Sequence, residues 1–269
     1  MMKPVAFEYV PASTVEEALA ALDSPGAKVL AGGQSLVPLM NFRLSRPNRL
    51  VDINPIQALT AIVPGERSLQ LGALVRHQQL IEHPEVRRLL PVLSQAARHI
   101  GHWAIRTRGT LGGSVVHADP AAELPALLVA LNGVIQAQGP QGVRNLPADE
   151  FFTGFYTTAL APNELVTAVE IPLPAGRIGF HEVARRPGDF ALAGAYVEIV
   201  GAGGSVTWFG FGDRPRRFGV EAWPRESNDR QALWAQLARQ VPLDEKEQYK
   251  YDLAVAVAEE SYRNAGGEE

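Results

Sequence analysis

At 269 residues, the chain is long enough to bury a core of its own and to divide into two or three lobes. Hydrophobic residues make up 46% and charged residues 20%, which argues against gross disorder, and a net charge of −4 argues against a nucleic-acid-binding surface. Because the chain contains no cysteine, it has no disulfide, no thiol catalysis and no iron–sulfur cluster bound by its own cysteines.

The hydropathy of the chain bears on its location. No apolar run approaches the roughly 18 residues that a membrane-spanning helix needs. The N-terminal residues lack the apolar segment of a secretory signal and are typical of a strand. We therefore expect a soluble, cytoplasmic protein.

Short strands and helices alternate over the first hundred residues. Ser13 or Thr14 precedes two glutamates and an apolar periodicity, a pattern that predicts a capped helix. The other elements predicted here are strands at residues 7–10, 28–30, 50–53 and 68–71 and helices at 76–81 and 91–100.

A double glycine, Gly32-Gly33, follows the second predicted strand and precedes a helix-like segment; we call residues 31–35 the first glycine loop. Glycine lets backbone N–H groups approach a ligand where a Cβ would clash, so the loop is a candidate anion site. The alternative is a tight turn that merely needs a positive φ. The loop fits neither the dinucleotide-binding nor the Walker pattern.

A second double glycine, Gly112-Gly113, lies between a basic segment and an Asp-Pro turn; we call residues 107–114 the second glycine loop. Asp119 is expected to cap the next helix, with Pro120 at its first position and Glu123 in its first turn. A run of backbone amides makes an anion-binding concavity without any lysine. The two loops together predict a phosphate or pyrophosphate cradle.

Basic residues and histidines cluster just before the second glycine loop. Arg98, Arg106 and Arg108 could serve the phosphates or pair with nearby carboxylates, and the sequence favours neither. His99 and His102 are three residues apart, but no third ligand of suitable spacing accompanies them. We therefore expect polar groups at a helix end and no metal site.

The second half of the chain changes character near residues 160–175, where strand 164–171 ends in I-P-L-P. Beyond it, strands separated by glycine turns predict an antiparallel sheet, and two helices follow. The elements predicted after residue 120 are helix 121–131, a hairpin of strands 134–138 and 142–146, a helical turn at 147–152, strands 164–171, 179–185, 192–200 and 205–210, and helices 228–239 and 244–264. The last helix is expected to bury one face, formed by Tyr251, Ala254, Val255 and Ala258.

Three motifs in this order resemble the flavin subunits of the molybdenum hydroxylases. They are A-G-G-Q-S-L-V-P-L-M-N-F-R-L at residues 31–44, R-T-R-G-T-L-G-G-S-V-V-H-A-D-P-A-A-E-L-P at 106–125 and F-H-E-V-A-R-R-P-G-D-F-A-L-A at 180–193. The resemblance is to the medium subunits of carbon monoxide dehydrogenase and its relatives and to the FAD domain of xanthine dehydrogenase. It covers essentially the whole chain and is weakest after Gly212.

The resemblance implies an α+β fold. A two-lobed FAD-binding domain of the PCMH (vanillyl-alcohol oxidase-like) type would be followed by a C-terminal antiparallel sheet with helices. The lobes would comprise residues 1–57 and 58–172, and the C-terminal part residues 173–269.

The resemblance also implies a set of cofactor-binding residues. On one side of the FAD pyrophosphate it places Ala31, Gly32, Gly33, Gln34 and Ser35, with Leu36 beside them, and on the other side Thr110, Leu111, Gly112, Gly113 and Ser114. Ser114 replaces an asparagine of some relatives. Glu123 matches an acidic position near the cofactor, and Ile100 and Val166 match apolar positions that pack on the flavin or adenine. His181 aligns with a lysine of some animal xanthine dehydrogenases, and Phe190 matches a position that lies either near the isoalloxazine ring or in the core.

The function implied is electron transfer through FAD, an oxidoreductase role in which no residue of this chain is catalytic and no metal is bound. Electrons would come from a small subunit with [2Fe–2S] centres beside a large molybdopterin subunit, in a dimer of heterotrimers, and pass to NAD, a quinone or oxygen. Two alternatives are a stand-alone FAD-dependent oxidase or reductase of the same superfamily and a colourless scaffold whose glycine loops merely turn. In the main interpretation, Gly112→Val should abolish FAD retention and leave the C-terminal sheet folded.

Overall fold

A computed structural model of the protein describes residues 3–243 and 245–267 and contains three units, each built on its own main sheet. In the first unit, β1 (Glu8–Pro11), β2 (Ala27–Leu30) and β3 (Arg49–Asp52) form a parallel sheet with β3 in the centre. Parallel neighbours need crossover connections. Helix α1 (Val15–Leu22) lies between β1 and β2, and the first glycine loop with helix α2 (Leu36–Asn41) lies between β2 and β3.

The cap predicted for the first helix is present. The Oγ1 atom of Thr14 accepts a hydrogen bond from the backbone N–H of Glu17 at 3.1 Å, which satisfies one of the free N–H groups at the start of α1. On its inner face the helix buries Ala18 and Leu22 against Val51 of the central strand. The same small core continues into a 3-10 turn at Gln57–Thr60, which leads to the second unit.

The second unit is built on a five-stranded antiparallel sheet. The strands of this sheet are β4 (Ile62–Pro64), β5 (Ser68–Gly72), β6 (Val134–Gly139), β7 (Gly142–Pro147) and β10 (Leu165–Pro172). A separate two-stranded ribbon consists of β8 (Phe152–Gly154) and β9 (Thr157–Thr158). The spatial order is β4-β5-β10-β6-β7, so the late strand β10 lies in the centre. The predicted strand at 164–171 thus completes the sheet of this unit.

Seven helices of the second unit are described: α3 (His77–Glu82), α4 (Pro84–Leu89), α5 (Pro91–His99), α6 (Trp103–Arg106), α7 (Leu111–His117), α8 (Glu123–Ala130) and α9 (Ala148–Phe151). Every residue of α8 is buried. This helix packs between α5 and α7 on one side and the sheet of the third unit on the other. A helix that is apolar all round is typical of the centre of a core, and α8 joins the second and third units.

The third unit is an antiparallel meander of β11 (Arg177–Ala184), β12 (Ala191–Val200), β13 (Gly203–Phe209) and β14 (Arg216–Val220). Helices α10 (Ser227–Ala238) and α11 (Lys250–Asn264) cover it. A buried ion pair joins the two helices: Arg230 Nη2 lies 2.8 Å from Glu259 Oε1, and Trp234 Nε1 donates to the same carboxylate at 3.0 Å. Satisfying a buried charge in this way fixes the pairing of the helices.

Two sequence-based predictions about these elements need correction. The helix after the Asp-Pro turn begins at Glu123, with Ala122 before it, because Asp119 Oδ1 accepts a hydrogen bond from the N–H of Ala121 at 2.9 Å. Asp119 and Pro120 therefore belong to a separate turn. In the third unit, β14 was not predicted, and the last helix begins at Lys250 after a 3-10 turn at Glu245–Glu247. The predicted start at residue 244 lies outside the described residues.

None of the helices in the described ranges is long and apolar enough to cross a bilayer. The α+β class predicted from the sequence is confirmed, since helices and antiparallel sheets share each of the two larger units. The exact boundaries proposed at residues 57 and 172 stay a prediction.

Candidate functional site

The first glycine loop leaves a row of backbone N–H groups without a hydrogen-bond acceptor among the described residues. Among the described residues, the N–H groups of the five residues Gly32, Gly33, Gln34, Ser35 and Leu36 donate to no acceptor. The carbonyl groups of the loop, by contrast, are engaged: Asn54 Nδ2 donates to the Ala31 oxygen at 2.9 Å and Gln34 Nε2 to the Gly32 oxygen at 3.2 Å.

The loop turns at Gly33, which has a positive φ of 72°. A residue with a side chain would be strained in this conformation, so the turn favours glycine. Successive free N–H groups on a tightly turned backbone form an anion-binding concavity. The geometry of this loop therefore suits a phosphate or pyrophosphate group, as the sequence predicted.

The second glycine loop uses its N–H groups differently. Leu111 N donates to the Val75 oxygen at 2.9 Å and Gly112 N to the Ala73 oxygen at 2.9 Å. Gly113 N donates to Thr110 Oγ1 at 3.1 Å, which caps α7. The expectation of a second open cradle of amides is therefore wrong for these three N–H groups. Within residues 110–114, Gly113 is exposed and Ser114 is half-buried while the other three are buried, so these two residues are the accessible part of this segment.

Gly112 is a glycine for a packing reason. A Cβ placed on it would lie 2.7 Å from the Cβ and 2.8 Å from the carbonyl oxygen of Ala73. Helix α7 could then no longer approach the end of β5 as closely as it does. The substitution Gly112→Val thus disturbs the packing of the second unit before it affects any ligand.

The two glycine loops lie against each other. A Cβ on Gly32 would overlap the carbonyl oxygen of Arg108 and would lie 2.9 Å from the Cα of Gly109. Only glycine permits this approach of two backbones. Gly32 and Arg108, which are 76 positions apart in sequence, therefore lie in direct backbone contact.

The arginines before the second loop have separate roles. Arg106 Nη1 donates to the carbonyl oxygens of Gly101 at 2.9 Å and Ile100 at 3.2 Å, so it closes the end of α5 and has no carboxylate partner among the described residues. Arg98 and Arg108 have exposed side chains, and neither guanidinium has a hydrogen bond or ion pair among the described residues. Of the two, Arg108 belongs to the second loop itself and is the cation available beside the cradle.

The positive charge of Arg108 contributes to lowering the pKa values of two neighbouring groups. Burial, followed by the like charge of Arg108, lowers the pKa of Arg76. Burial opposes ionisation of Asp52, but hydrogen bonds from Tyr9 and Asn54 together with the charge of Arg108 hold the pKa of its carboxyl below the usual value. The junction of the loops is thus positively charged, with Asp52 as its nearby carboxylate.

His77 supports the second loop from beneath and was not singled out in the sequence. Its Nε2 atom lies 3.0 Å from the Thr110 oxygen and 3.1 Å from Ser114 Oγ. Burial lowers the pKa of this imidazole to about 4, so the ring is neutral at pH 7. A lone histidine at the start of a predicted helix gives no sequence signal for such a role.

Glu123 lies deeper than the resemblance implied. The residue is only 7% exposed, and the hydroxyl of Tyr196 donates to its carbonyl oxygen at 3.0 Å. Burial, with a contribution from the nearby carboxylate of Glu182, raises the pKa of Glu123 to about 8. At pH 7 the carboxyl group is therefore mostly protonated, and its contact with a cofactor stays a prediction.

The apolar positions implied by the resemblance are not all brought together. Val166 is 2% exposed inside the core of the second unit. Ile100 is half-buried at the end of α5, and Phe190 is 72% exposed. A Cβ on Gly188 would lie 2.8 Å from the Gly101 oxygen, so the segment that carries Phe190 lies against the one that follows Ile100. His181 is half-buried on β11, opposite Ala195.

Exposed aromatic side chains near these segments were not predicted as site residues. Trp103 is 65% exposed in α6, and Tyr156 is 56% exposed with a positive φ of 51°. The Tyr156 hydroxyl donates to Asp119 Oδ2 at 3.3 Å, and its ring lies 5.1 Å from that of His117. The run T-G-F-Y at residues 153–156 is a sequence signal for Tyr156, whereas Trp103 lies outside it.

The chain is similar to proteins of a known family. A family model described as the FAD binding domain in molybdopterin dehydrogenase matches residues 5–174. Subunit alpha of the 6-hydroxypseudooxynicotine dehydrogenase complex of Paenarthrobacter nicotinovorans is 48% identical over 198 residues, which cover 72% of this chain and 67% of that protein. Caffeine dehydrogenase subunit beta of Pseudomonas sp. (strain CBB1) is 40% identical over 234 residues, which cover 82% of this chain and 79% of that protein.

Solved structures match over nearly the whole chain. Quinoline 2-oxidoreductase from Pseudomonas putida 86 gives a TM-score of 0.91 at 32% identity, covering 99% of both chains. Carbon monoxide dehydrogenase from Hydrogenophaga pseudoflava gives a TM-score of 0.90 at 31% identity, covering 98% of this chain and 99% of that one. The third unit, which the family model does not reach, is therefore part of the shared fold.

Proposed function

The chain belongs to the family of FAD-binding domains in molybdopterin dehydrogenases, and from this premise we propose that it is the flavin subunit of a molybdenum hydroxylase complex. The resemblance that the three motifs predicted is thereby confirmed, as are the cofactor FAD and the class of oxidoreductase. Its role is to receive electrons from a partner subunit and to pass them to an external acceptor.

The single observation that carries the proposal is the row of five free N–H groups from Gly32 to Leu36, next to the backbone of the second loop. These groups would hold the pyrophosphate of FAD, with Arg108 supplying positive charge and with Gly113 and Ser114 as the accessible residues at the start of α7. Bound FAD would supply the capacity to take up electrons singly and release them in pairs. The protein contributes position and electrostatics, and no residue of this chain acts as acid, base or nucleophile.

The lack of cysteine bears on the source of the electrons. A chain without cysteine has no thiolate ligand for an iron–sulfur cluster, so in the proposed role any cluster that supplies electrons lies on another chain. Relatives are named as subunits or medium chains of multi-subunit dehydrogenases. We propose a small subunit with [2Fe–2S] centres and a large molybdopterin subunit as partners, in a dimer of heterotrimers located in the cytoplasm.

The test is to express the chain alone and together with the genes that flank its own. We expect a yellow protein with the absorption bands of oxidised flavin and one FAD per chain after denaturation, and copurification of a cysteine-rich chain and a large chain. A colourless protein that cannot be reconstituted with FAD would contradict the proposal and favour a scaffold. A yellow protein that turns over a substrate without partners would favour the stand-alone oxidase or reductase.

A further inference from the structure

We propose that Arg76 is a positioning residue that, together with Asn54, clamps the two glycine loops at the spacing that the pyrophosphate of FAD requires. We call these two residues the interloop clamp. The inference rests on the proposed function, because it concerns how the same site is held in shape. Neither residue belongs to a glycine loop, and neither was singled out by the sequence motifs.

The clamp is a continuous chain of hydrogen bonds. Asn54, just after β3, donates through Nδ2 to the carbonyl oxygen of Ala31 at 2.9 Å. Arg76 Nη2 donates to Asn54 Oδ1 at 2.6 Å, and Arg76 Nη1 donates to the carbonyl oxygen of Arg108. One carbonyl from each glycine loop is thus tied to the same guanidinium, directly or through a single amide side chain.

Both ends of the clamp are fixed in place. The backbone N–H of Asn54 donates to Asp52 Oδ1 at 3.0 Å, and its Nδ2 donates to the same oxygen at 2.5 Å, which anchors the amide side chain to the end of the central strand β3. The N–H of Arg76 donates to Gln79 Oε1 at 2.8 Å, which anchors the arginine to the first turn of α3. The clamp therefore connects a strand of the first unit to a helix of the second.

The bond from Asn54 also fixes the direction of one of the free amides. The C=O of Ala31 and the N–H of Gly32 belong to the same trans peptide and point in opposite directions, so holding the carbonyl sets the direction of an N–H group that has no acceptor among the described residues. Arginine suits the position because its planar guanidinium presents two parallel donors in a rigid fork. A lysine offers a single ammonium centre and could not hold two acceptors in one fixed geometry.

The electrostatics agree with a role beside an anion. Arg76 and Arg108 are close enough for the like charge to lower the pKa of Arg76, after the effect of burial. Two guanidinium groups close together repel each other unless an anion lies nearby. Asp52 supplies one negative charge, and a bound pyrophosphate would supply the rest.

A simple structural brace between two units would give some of the same contacts, so the experiment compares two ligands. Riboflavin contains the isoalloxazine ring of FAD but no phosphate. Titrating FAD-free protein with each and following flavin fluorescence gives two dissociation constants. For Arg76→Met we expect the dissociation constant for FAD to rise roughly ten- to a hundredfold, while that for riboflavin is unchanged. For Arg76→Lys we expect a smaller rise.

A double-mutant cycle tests the connection within the clamp. Asn54→Ala should also weaken FAD binding, and the double variant should bind FAD no more weakly than the weaker single variant, because the bonds act in series. The matched control is Arg144→Met, which removes a guanidinium that bonds Glu164 Oε1 at 2.7 Å and the Ala159 carbonyl at 2.8 Å outside the glycine loops. It should leave both dissociation constants unchanged.

The outcomes separate the clamp from the proposed function. If Arg76→Met binds FAD as the wild type does, or loses FAD and riboflavin equally, the clamp is refuted while the wild type remains a flavoprotein. If additive losses are found in the cycle, Asn54 and Arg76 act independently and the clamp is also refuted. If the wild type itself binds no FAD, the proposed function fails.

Discussion

Gly32 is the residue at which the site is most sensitive to substitution. A Cβ there would collide with the backbone of Arg108 and Gly109, which has no flexible side-chain end to give way. We expect Gly32→Ala to push the two loops apart and to weaken FAD binding roughly tenfold or more. Equilibrium titration of the FAD-free variant with FAD measures the effect.

Gly219 provides the control for that substitution, because a Cβ placed there meets nothing within 4 Å and its φ is not positive. Gly219→Ala should retain wild-type FAD affinity and a wild-type melting temperature. If Gly32→Ala retained full FAD affinity, the close approach of the loops would not matter for the cofactor, and the cradle assigned to residues 32–36 would be wrong.

Glu123 and His77 give the FAD-free protein opposite dependences of stability on pH. Glu123 has its pKa raised from 4.5 to about 8 in the folded state, so the stability it contributes is complete below pH 4.5 and is lost as the pH rises through 8. His77 has its pKa lowered from 6.5 to about 4, so its contribution is present above pH 6.5 and is lost as the pH falls through 4.

Between the unfolded-state and folded-state pKa values of each group, the free energy of unfolding changes by about 1.4 kcal/mol per pH unit. The two contributions have opposite signs and offset each other where these pH ranges overlap. Above pH 6.5 only the contribution of Glu123 remains. From there to pH 8 we expect the free energy of unfolding to fall by about 2 kcal/mol, and Glu123→Gln to abolish the fall. Urea unfolding of both proteins over this range checks it. An equal fall in the variant would assign the dependence to another group.

At the scale of elements, local signals located most of the fold. The Thr14 cap, the glycine turns and the alternating apolar residues of β12 and β13 lie close to where the sequence placed them. The missed strand β14 reads R-R-F-G-V, whose charged and glycine positions are weak strand formers, and it is held by pairing with β13 rather than by propensity.

The sequence-based predictions are wrong where a side chain bonds the local backbone, or where a backbone N–H group finds its acceptor far away in the sequence. Asp119 suits a helix cap by type, but its carboxylate accepts a hydrogen bond from the N–H of Ala121 in a turn of its own, and α8 begins at Glu123, two residues after the predicted start at 121. In the second glycine loop, the N–H groups of Leu111 and Gly112 bond the carbonyls of Val75 and Ala73. A motif identifies such a loop, but it does not show which of the loop's N–H groups are hydrogen-bonded within the protein.

The same reasoning applies to the residues that complete the site. Asn54, Arg76 and His77 bond the glycine loops through their side chains, between residues that are 23 to 37 positions apart. No periodicity or capping pattern reports on such contacts. A resemblance restricted to motifs therefore finds the loops and omits the side chains that hold them.

For the molecule as a whole, the site lies where the units meet. The first unit reaches the second through Gly32 and Gly109, and the third reaches the second through Gly188 and Gly101 and through helix α8. A ligand held by both glycine loops would bind the folded arrangement and not the unfolded chain. Its binding free energy therefore adds to the stability of the assembled units.

We therefore expect FAD to raise the melting temperature of the FAD-free chain, with a shift that grows with the logarithm of its concentration. At a hundredfold excess over the dissociation constant the gain is about 2.7 kcal/mol, equivalent to roughly 5–10 °C for a chain of this size. Differential scanning calorimetry measures the shift. Riboflavin at the same concentration should give a smaller shift because the pyrophosphate contacts are missing. An equal shift would place the binding energy on the isoalloxazine ring instead of the two glycine loops.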